Sequence, residues 1–337
     1  ILLFTSCEGV LEKYPLNLPS TETFLENEDQ IKMAIVGIHS PLYLMYDWIP
    51  FMIYFDNASD IAAERDVNPE QLYHNPSAWQ LKDLWTYMYN GISRCNFVLD
   101  NINRSEGKVS EEKINQYKAE VKTMRAYYYH VLVSMFGDVP LIKTQQTAGD
   151  DLQVSRSPKE EVYELIIQDL KDAASMLPAQ YELSSDIGRA TKGASLGLLA
   201  KVYLTLKKYD DVISTIEELD ALNIYTLNRK YDWNFDYLRE NGPESLFEVQ
   251  YEKDVTTYSE FDILGQGGWH NDYMAPLAPI AIGGRWGNFG WFAVYPEFVN
   301  SYEAGDLRKS VSVWCQGDQY KGWAYDPSVS QTGHNVK

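Results

Sequence analysis

Few stretches of this chain bring together residue types that could carry a reaction. Gly193-Ala194-Ser195-Leu196-Gly197 has the spacing of the nucleophile elbow of hydrolases. That chemistry needs a strand before the serine and a sharp, strained turn at it. Here the motif lies in an Ala/Leu-rich run with helical spacing, so small residues permitting close helix packing is the reading that fits. Gly265-Gln266-Gly267-Gly268 is followed by no Lys and opens no evident helix, so a phosphate cradle is not expected. His39, His74, His130, His270 and His334 are scattered, and neither they nor the 3 Cys show metal-ligand spacing. His130 sits beside a helical stripe and reads as a hydrogen-bonded structural residue, and Cys95 reads as a quiet core thiol. Acids are plentiful, but a glycosidase pair is defined by a three-dimensional separation. The sequence therefore predicts no catalytic residue, no metal and no cofactor.

The aromatic content points elsewhere. The chain holds 25 Tyr, 9 Trp and 12 Phe, 14% of its residues. Trp85, Tyr117 and Tyr128 fall on helical stripes and are expected in the core, while Tyr73 and Trp79 flank a helix start. Trp269, Trp286, Trp291, Trp314 and Trp323 lie in a region holding 11 of the 21 Gly, from 260 to 337. A loop tryptophan either plugs down onto the core or stands out as a flat apolar platform with a polar edge. Sugar rings and peptide side chains both stack on such platforms. For any single one the plug is favoured, because most aromatic surface is buried.

Helices must position these residues. Residues 28–46 carry Ile31, Ala34, Ile35, Ile38 and Leu42, a stripe expected to break near Pro41. Asn75-Pro76 supplies a helix start, followed by Leu81, Trp85, Met88, Ile92, Cys95, Leu99 and Ile102 at alternating spacings of four and three. Ser110-Glu111-Glu112 opens a longer helix with Ile114, Tyr117, Val121, Met124, Tyr128, Val131 and Met135 inward, closed by Gly137. Ser157-Pro158-Lys159-Glu160 reads as a capping box for a helix ended by Pro178. Thr191 to Leu206 is apolar nearly all round and is expected to be covered on both sides. A short helix follows with Val212, Ile213, Ile216 and Leu219. Phe247, Val249 and Tyr251 alternate with polar residues and predict one short strand. Beyond it, long loops with little regular structure are expected.

Composition narrows the class. The 337 residues carry 29 Lys and Arg against 48 Asp and Glu, a net charge of −19. Such a surface repels phosphate, so a nucleic-acid partner is not expected. No apolar run approaches the roughly 20 residues needed to span a bilayer. Both ends look cut. Ile1-Leu2-Leu3-Phe4-Thr5-Ser6-Cys7 reads as the tail of a secretory signal ending in a lipobox, with a truncated core segment and a chance cysteine as the alternative. Residues 8–27 read as a tether and entry loop.

Five segments in order resemble one family. AEVKTMRAYYYHVLVSMFGDVPLI at 119–142 is similar to the long-helix signature of the SusD/RagB lipoproteins of Bacteroidetes-type bacteria. RATKGASLGLLAKVYLTLKKYDDVI at 189–213 resembles their tetratricopeptide-like helix pair, and ESLFEVQY at 244–251 the strand that follows. PEFVNSYEAGDLRKS at 296–310 resembles their segment with an aromatic, then Asp, then Leu-Arg. CEGVLEKYPLNLPSTETFL at 7–25 resembles their mature N-terminus after the lipid-bearing cysteine.

The resemblance implies an all-α fold of tetratricopeptide-like helix pairs, with a loop-rich, Gly/Trp-rich second half and minor β structure. It implies a signal remnant and lipobox at 1–7, a helical region at 8–225, and the start of the C-terminal region at 226–337, with later helices beyond Lys337. It implies a lipoprotein on the outer face of the outer membrane, anchored through Cys7. Such a protein captures oligosaccharides and delivers them to a SusC-like TonB-dependent transporter, without catalysis. An oligopeptide-binding member of the family and a helical glycan hydrolase are the alternatives. The expected ligand contacts are Trp269, Trp286 and Trp291, with Tyr73 and Trp79 as a second lip and Asp56 and Arg65 as polar contacts. Glu120 and Arg125 match family positions and are expected to form a structural ion pair with each other.

Overall fold

The computed structural model describes residues 24–47, 59–64, 79–147, 149–150, 152–251, 290, 292–320 and 322–337. Among the described residues, six helices dominate the first part: α1 (Glu28–Asp47), α2 (Trp79–Asn101), α3 (Glu111–Phe136), α4 (Lys159–Met176), α5 (Lys192–Thr205) and α6 (Tyr209–Asp220). From α2 onward each packs on the next in sequence, and α1 lies on α2 and α3. The fold is mainly helical, as the stripes predict.

The stripe of α2 turns slightly from its expected setting. Leu84, Met88, Ile92, Cys95, Val98 and Ile102 are fully buried, while Leu81, Trp85 and Leu99 are half-buried on its flank. Trp85 packs edge-on against Phe136 at 5.1 Å. The central helix is α3. Residues Tyr128 to Val133 are buried on every side, because α1, α2, α4 and α5 all touch this helix.

Pro41 does not break α1. It lacks the N–H that would bond Gly37 O one turn back. That freed carbonyl accepts instead from the Arg94 guanidinium on α2. The next carbonyl, Ile38 O, accepts from Tyr128 Oη at 2.5 Å. Tyr128 reaches it by crossing Gly91, where a Cβ would stand 2.4 Å from its ring. The helix runs through its proline because two neighbours supply the donors.

The expected capping box of α4 is also replaced. Ser157 pairs with Val139 in a two-stranded ribbon of β2 (Val139–Pro140) and β3 (Arg156–Ser157). The Lys159 N–H is capped by the Asp138 carboxylate at 3.0 Å. That acid arrives from the exit of α3, so a tertiary contact takes the place of the local one.

Glu120 and Arg125 do not pair with each other. Residues five apart lie roughly 140° round a helix, so the two face different neighbours. Arg125 makes a bidentate contact with Asp169 on α4, Nε to Oδ2 at 2.8 Å and Nη2 to Oδ1 at 2.9 Å. Its Nη1 donates to Asn96 Oδ1 on α2 at 2.9 Å and to Lys143 O at 3.1 Å. Glu120 accepts from Arg189, Nε to Oε2 at 2.9 Å, with Nη2 on its other oxygen. Arg189 also holds Asp186 and lies between the rings of Tyr117 and Tyr181.

The outer pair, α5 and α6, is less covered than expected. Leu204 is 56% exposed, and α6 turns Val212, Thr215 and Leu219 inward while Ile213 stands 58% exposed. Residues 244–251 form no strand ladder. They run as an irregular strap whose side chains Phe247 and Val249 press onto the helical core.

The end of the chain is more ordered than the loop reading predicts. Four short strands, β1 (Ala62–Glu64), β4 (Phe292–Val294), β5 (Val313–Trp314) and β8 (Asn335–Val336), form an antiparallel sheet in the order β1-β4-β8-β5. A ribbon of β6 (Gln319–Tyr320) and β7 (Trp323–Ala324) and short helices α7 (Pro296–Ser301) and α8 (Arg308–Ser312) complete it. Strands of two or three residues carry no periodicity for a sequence to show.

Three variants test this frame. Arg125→Met strands a buried carboxylate and is expected to cost about 3–5 kcal/mol in urea unfolding. Arg125→Met with Asp169→Leu should recover most of that loss; equal losses in single and double variants would refute the pair. Gly91→Ala drives a methyl into a ring that its own hydrogen bond holds in place, with an expected loss of about 1–3 kcal/mol.

Candidate functional site

The strap at 244–251 is held at glycines. A Cβ at Gly188 would meet the Gln250 side chain at 2.3 Å, and Gly188 sits at φ +90°. A Cβ at Gly197 would meet Leu246 at 2.5 Å, and one at Gly193 would meet Tyr225 at 2.2 Å. Small residues in α5 thus serve close packing. Ser195 is buried within that helix, its hydroxyl 2.8 Å from Thr123 Oγ1.

Clefts open around the strap. Between it and α3 and α5 lies a space of about 860 Å³, walled by Leu42, Met124, Tyr127, Leu198, Leu246 and Phe247. Lys201, Glu240 and Glu244 stand on its polar side. Between the strap, α1 and the turn before α5 lies a smaller cavity of about 220 Å³. Its walls include Ile35, Val36, Ile187 and Val249, with His39 and Tyr43 from α1. A third cleft of about 370 Å³ mixes Trp233 and Phe235 with Asn228, Asn234, Arg239 and Glu244. There the Arg239 guanidinium lies 3.9 Å from the centroid of the Trp233 ring.

Two imidazoles sit in the helices, His130 buried in α3 and His39 half-buried in α1. The Nδ1 of His130 is sealed from solvent with no hydrogen-bond partner among the described residues. Burial, aided by the nearby Lys201 charge, pushes the His130 pKa down to about 4. The expectation of a hydrogen-bonded His130 is therefore corrected: it is a neutral packing residue. His39 shares the ring stack of Phe247 at 6.1 Å, and burial lowers its pKa against the bond from Nδ1 to Ile35 O. Cys95 is a buried thiol whose pKa burial pushes up.

The expected ligand contacts are placed unevenly. Cys7, Asp56, Arg65, Tyr73, Trp269, Trp286 and Trp291 lie outside the described residues, and Trp79 opens α2. The two remaining loop tryptophans gather near the end of the chain. Trp314 is buried and stacks on Tyr325 at 5.9 Å, with Trp323 edge-on at 6.1 Å, so Trp314 is a plug. Sequence reading passed over the aromatic-polar alternation Tyr231-Asp232-Trp233-Asn234-Phe235, which was the visible signal of the third cleft.

A family model for SusD-like proteins, described as starch-binding and associating with the outer membrane, matches residues 11–204. The chain belongs to the SusD-like family. It is 26% identical to a SusD-like protein of Formosa agariphila, across 94% of this chain and 67% of that protein. It is also 26% identical to a SusD-like protein of Bacteroides ovatus, across 95% of this chain and 59% of that one. The chain thus spans about three fifths to two thirds of the length of these relatives. Its fold matches surface glycan-binding protein A from Bacteroides thetaiotaomicron, solved in complex with laminarihexaose. That TM-score is 0.75 at 21% identity, over 92% of this chain and 70% of that one. The SusD-like helices are those expected, and the clefts around the strap are what the sequence did not show.

The buried neutral imidazole sets a pH dependence. Folded His130 binds its proton only near pH 4, against about 6.5 when unfolded. Stability is therefore complete above pH 6.5 and falls as the pH drops toward 4, by on the order of 3 kcal/mol. His130→Phe should flatten most of this slope in urea midpoints measured from pH 7 to 4, with His39 supplying a remainder. An unchanged slope would show that His130 is not its source.

Proposed function

We propose that this SusD-like protein captures oligosaccharides at the outer face of the outer membrane and delivers them to a SusC-like TonB-dependent transporter. The observation that carries this reading is the family match over residues 11–204, whose description is starch binding with outer-membrane association. The fold likeness to a protein solved with laminarihexaose supports a glycan ligand. In this reading the protein binds without turnover. Cys7 carries the lipid, since several acyl chains give firm anchoring where one is marginal. Residues 8–225 form the helical region and 226–337 begin the C-terminal region.

Neutral glycans suit the chain better than charged ones. A net charge of −19 works against sulfated or uronic polymers. Trp269, Trp286 and Trp291 act as stacking platforms, Tyr73 and Trp79 as the facing lip, and Asp56 and Arg65 as hydrogen-bonding groups.

Affinity electrophoresis of the full-length protein, lacking its anchor cysteine, tests the reading through gels containing a panel of polysaccharides. Retardation by a neutral β- or α-glucan is expected, with a clear loss on Trp286→Ala or Trp291→Ala. Free migration through every glycan gel would overturn the glycan assignment. Release of shortened oligosaccharide from the gel would replace binding by hydrolysis.

A further inference from the structure

Two of the clefts around the strap meet. The apolar one, about 860 Å³, and the aromatic-polar one, about 370 Å³, share Glu240, Glu244 and Ser245 as lining residues. Glu240 is exposed, so the shared edge is a rim open to water. The larger space lies within the roughly 300–1,000 Å³ usual for small-molecule sites. The two sides of the rim differ in chemistry.

The smaller cleft offers a ring platform and unused polar groups. Phe235 lines it and is 66% exposed, with Tyr231 set edge-on to its ring at 5.3 Å. Trp233 is already covered by Arg239, which Asp236 holds at 3.2 Å. Glu244 accepts from the Asn228 N–H at 2.8 Å, and Glu248 from the Asn241 N–H at 2.9 Å. Asn234 spends its side-chain oxygen on Asn228 Nδ2 at 2.6 Å, which leaves its amino group. The Glu240 carboxylate and the Ser245 hydroxyl have no partner among the described residues.

Across the rim the walls become apolar. Leu198, Leu246, Phe247 and the half-buried ring of Tyr127 form them. The polar groups on that side are spent, sealed or hydrated. Thr123 uses its hydroxyl on Ala119 O and Ser195, and the Tyr251 hydroxyl is sealed from solvent. Lys201 is exposed, so its stem lines the cleft while its ammonium stays in water.

We propose that the two clefts form one site for a glycoside with an apolar aglycone. The sugar ring stacks on Phe235 and hydrogen-bonds to Asn234, Glu240 and Ser245. The aglycone crosses the rim and lies against Leu198, Leu246 and Phe247. A plain oligosaccharide in the larger cleft would turn hydroxyls onto apolar walls, and each left unpaired is penalised. A bare hydrocarbon would leave the polar groups of the smaller cleft unused. A fatty acid would reach Lys201, but its carboxylate would stand beside Glu240 and Glu244. The site rests on the reading of this protein as a sugar binder, and not on Trp269, Trp286 or Trp291.

Titration calorimetry on the full-length protein with butyl, hexyl and octyl β-glucoside, each below its micelle-forming concentration, tests this. Affinity is expected to rise roughly 3- to 4-fold for each added methylene. Hexyl glucoside should bind roughly 10-fold more tightly than 1-hexanol, which lacks the sugar. Phe235→Ala, at an exposed position, should weaken every glucoside by the same factor, roughly 3- to 10-fold, and keep the chain-length slope. Leu198→Ser should flatten that slope; if it does not fold, the slope in the unaltered protein decides. No binding of octyl glucoside, an affinity independent of chain length, equal affinity for hexyl glucoside and hexanol, or unchanged binding by Phe235→Ala would each overturn the proposal. Any of these results alongside retardation in glucan gels would remove this site and leave glycan capture standing. Chain-length-dependent glucoside binding without gel retardation would do the reverse.

Discussion

The guanidinium of Arg125 is the fixed point of this molecule. It is almost entirely withdrawn from water, with 8% of its side chain exposed against 3% for Asp169. A charge in that position is tolerated only when its donors and its counter-ion are all satisfied. Satisfaction here needs three separate segments at once: Asp169 on α4, Asn96 on α2 and the carbonyl of Lys143. None can shift without stranding charge, so α2, α3, α4 and the exit of α3 have one mutual arrangement. Asn96 extends the constraint by donating to Ile142 O and Thr144 O, and Tyr129 both donates to Ile142 O and accepts from Ile142 N. The second ion pair depends on the first. Once α3 is set, Glu120 fixes Arg189, and Arg189 fixes the turn from which α5 departs.

That order of dependence explains which elements could be seen in the sequence. The helices were legible because a buried face at spacings of three and four is a local property. Their caps and kinks were less so. Pro41 promised a break, yet the acceptor it frees is met from α2; Ser157 promised a cap, yet Asp138 provides it. Glu120 and Arg125 promised one pair and made two, because helical geometry points them apart. In each case the residue type was informative and the partner was tertiary.

The strap shows a different failure. Alternation of Phe247, Val249 and Tyr251 marks a segment with one face pressed against something apolar. A sheet neighbour and a helical groove leave the same mark, and here it is a groove, with Tyr251 set edge-on to Tyr43 at 5.2 Å. The two-residue strands near the end of the chain leave no mark. Of the candidate site, the sequence pointed to aromatic loops, and Trp269, Trp286 and Trp291 lie outside the described residues. It could not show that a ring nitrogen of His39 and one of His130 are buried without a partner, since burial is decided by helices far away in the chain.

The contrast between paired ions and unpaired imidazoles is one of energy. An unpaired ion in such surroundings would be expelled or neutralised, so every buried arginine and carboxylate in the helical frame has its counterpart. A neutral imidazole with one unmet nitrogen costs only about 1–3 kcal/mol. The frame can carry that cost. The strap lies over Gly188 because no side chain stands there to lift it. The rigid ionic centre, the turn it fixes and the glycine in that turn therefore act in series. They hold the strap at a height where the cavities beside it remain open.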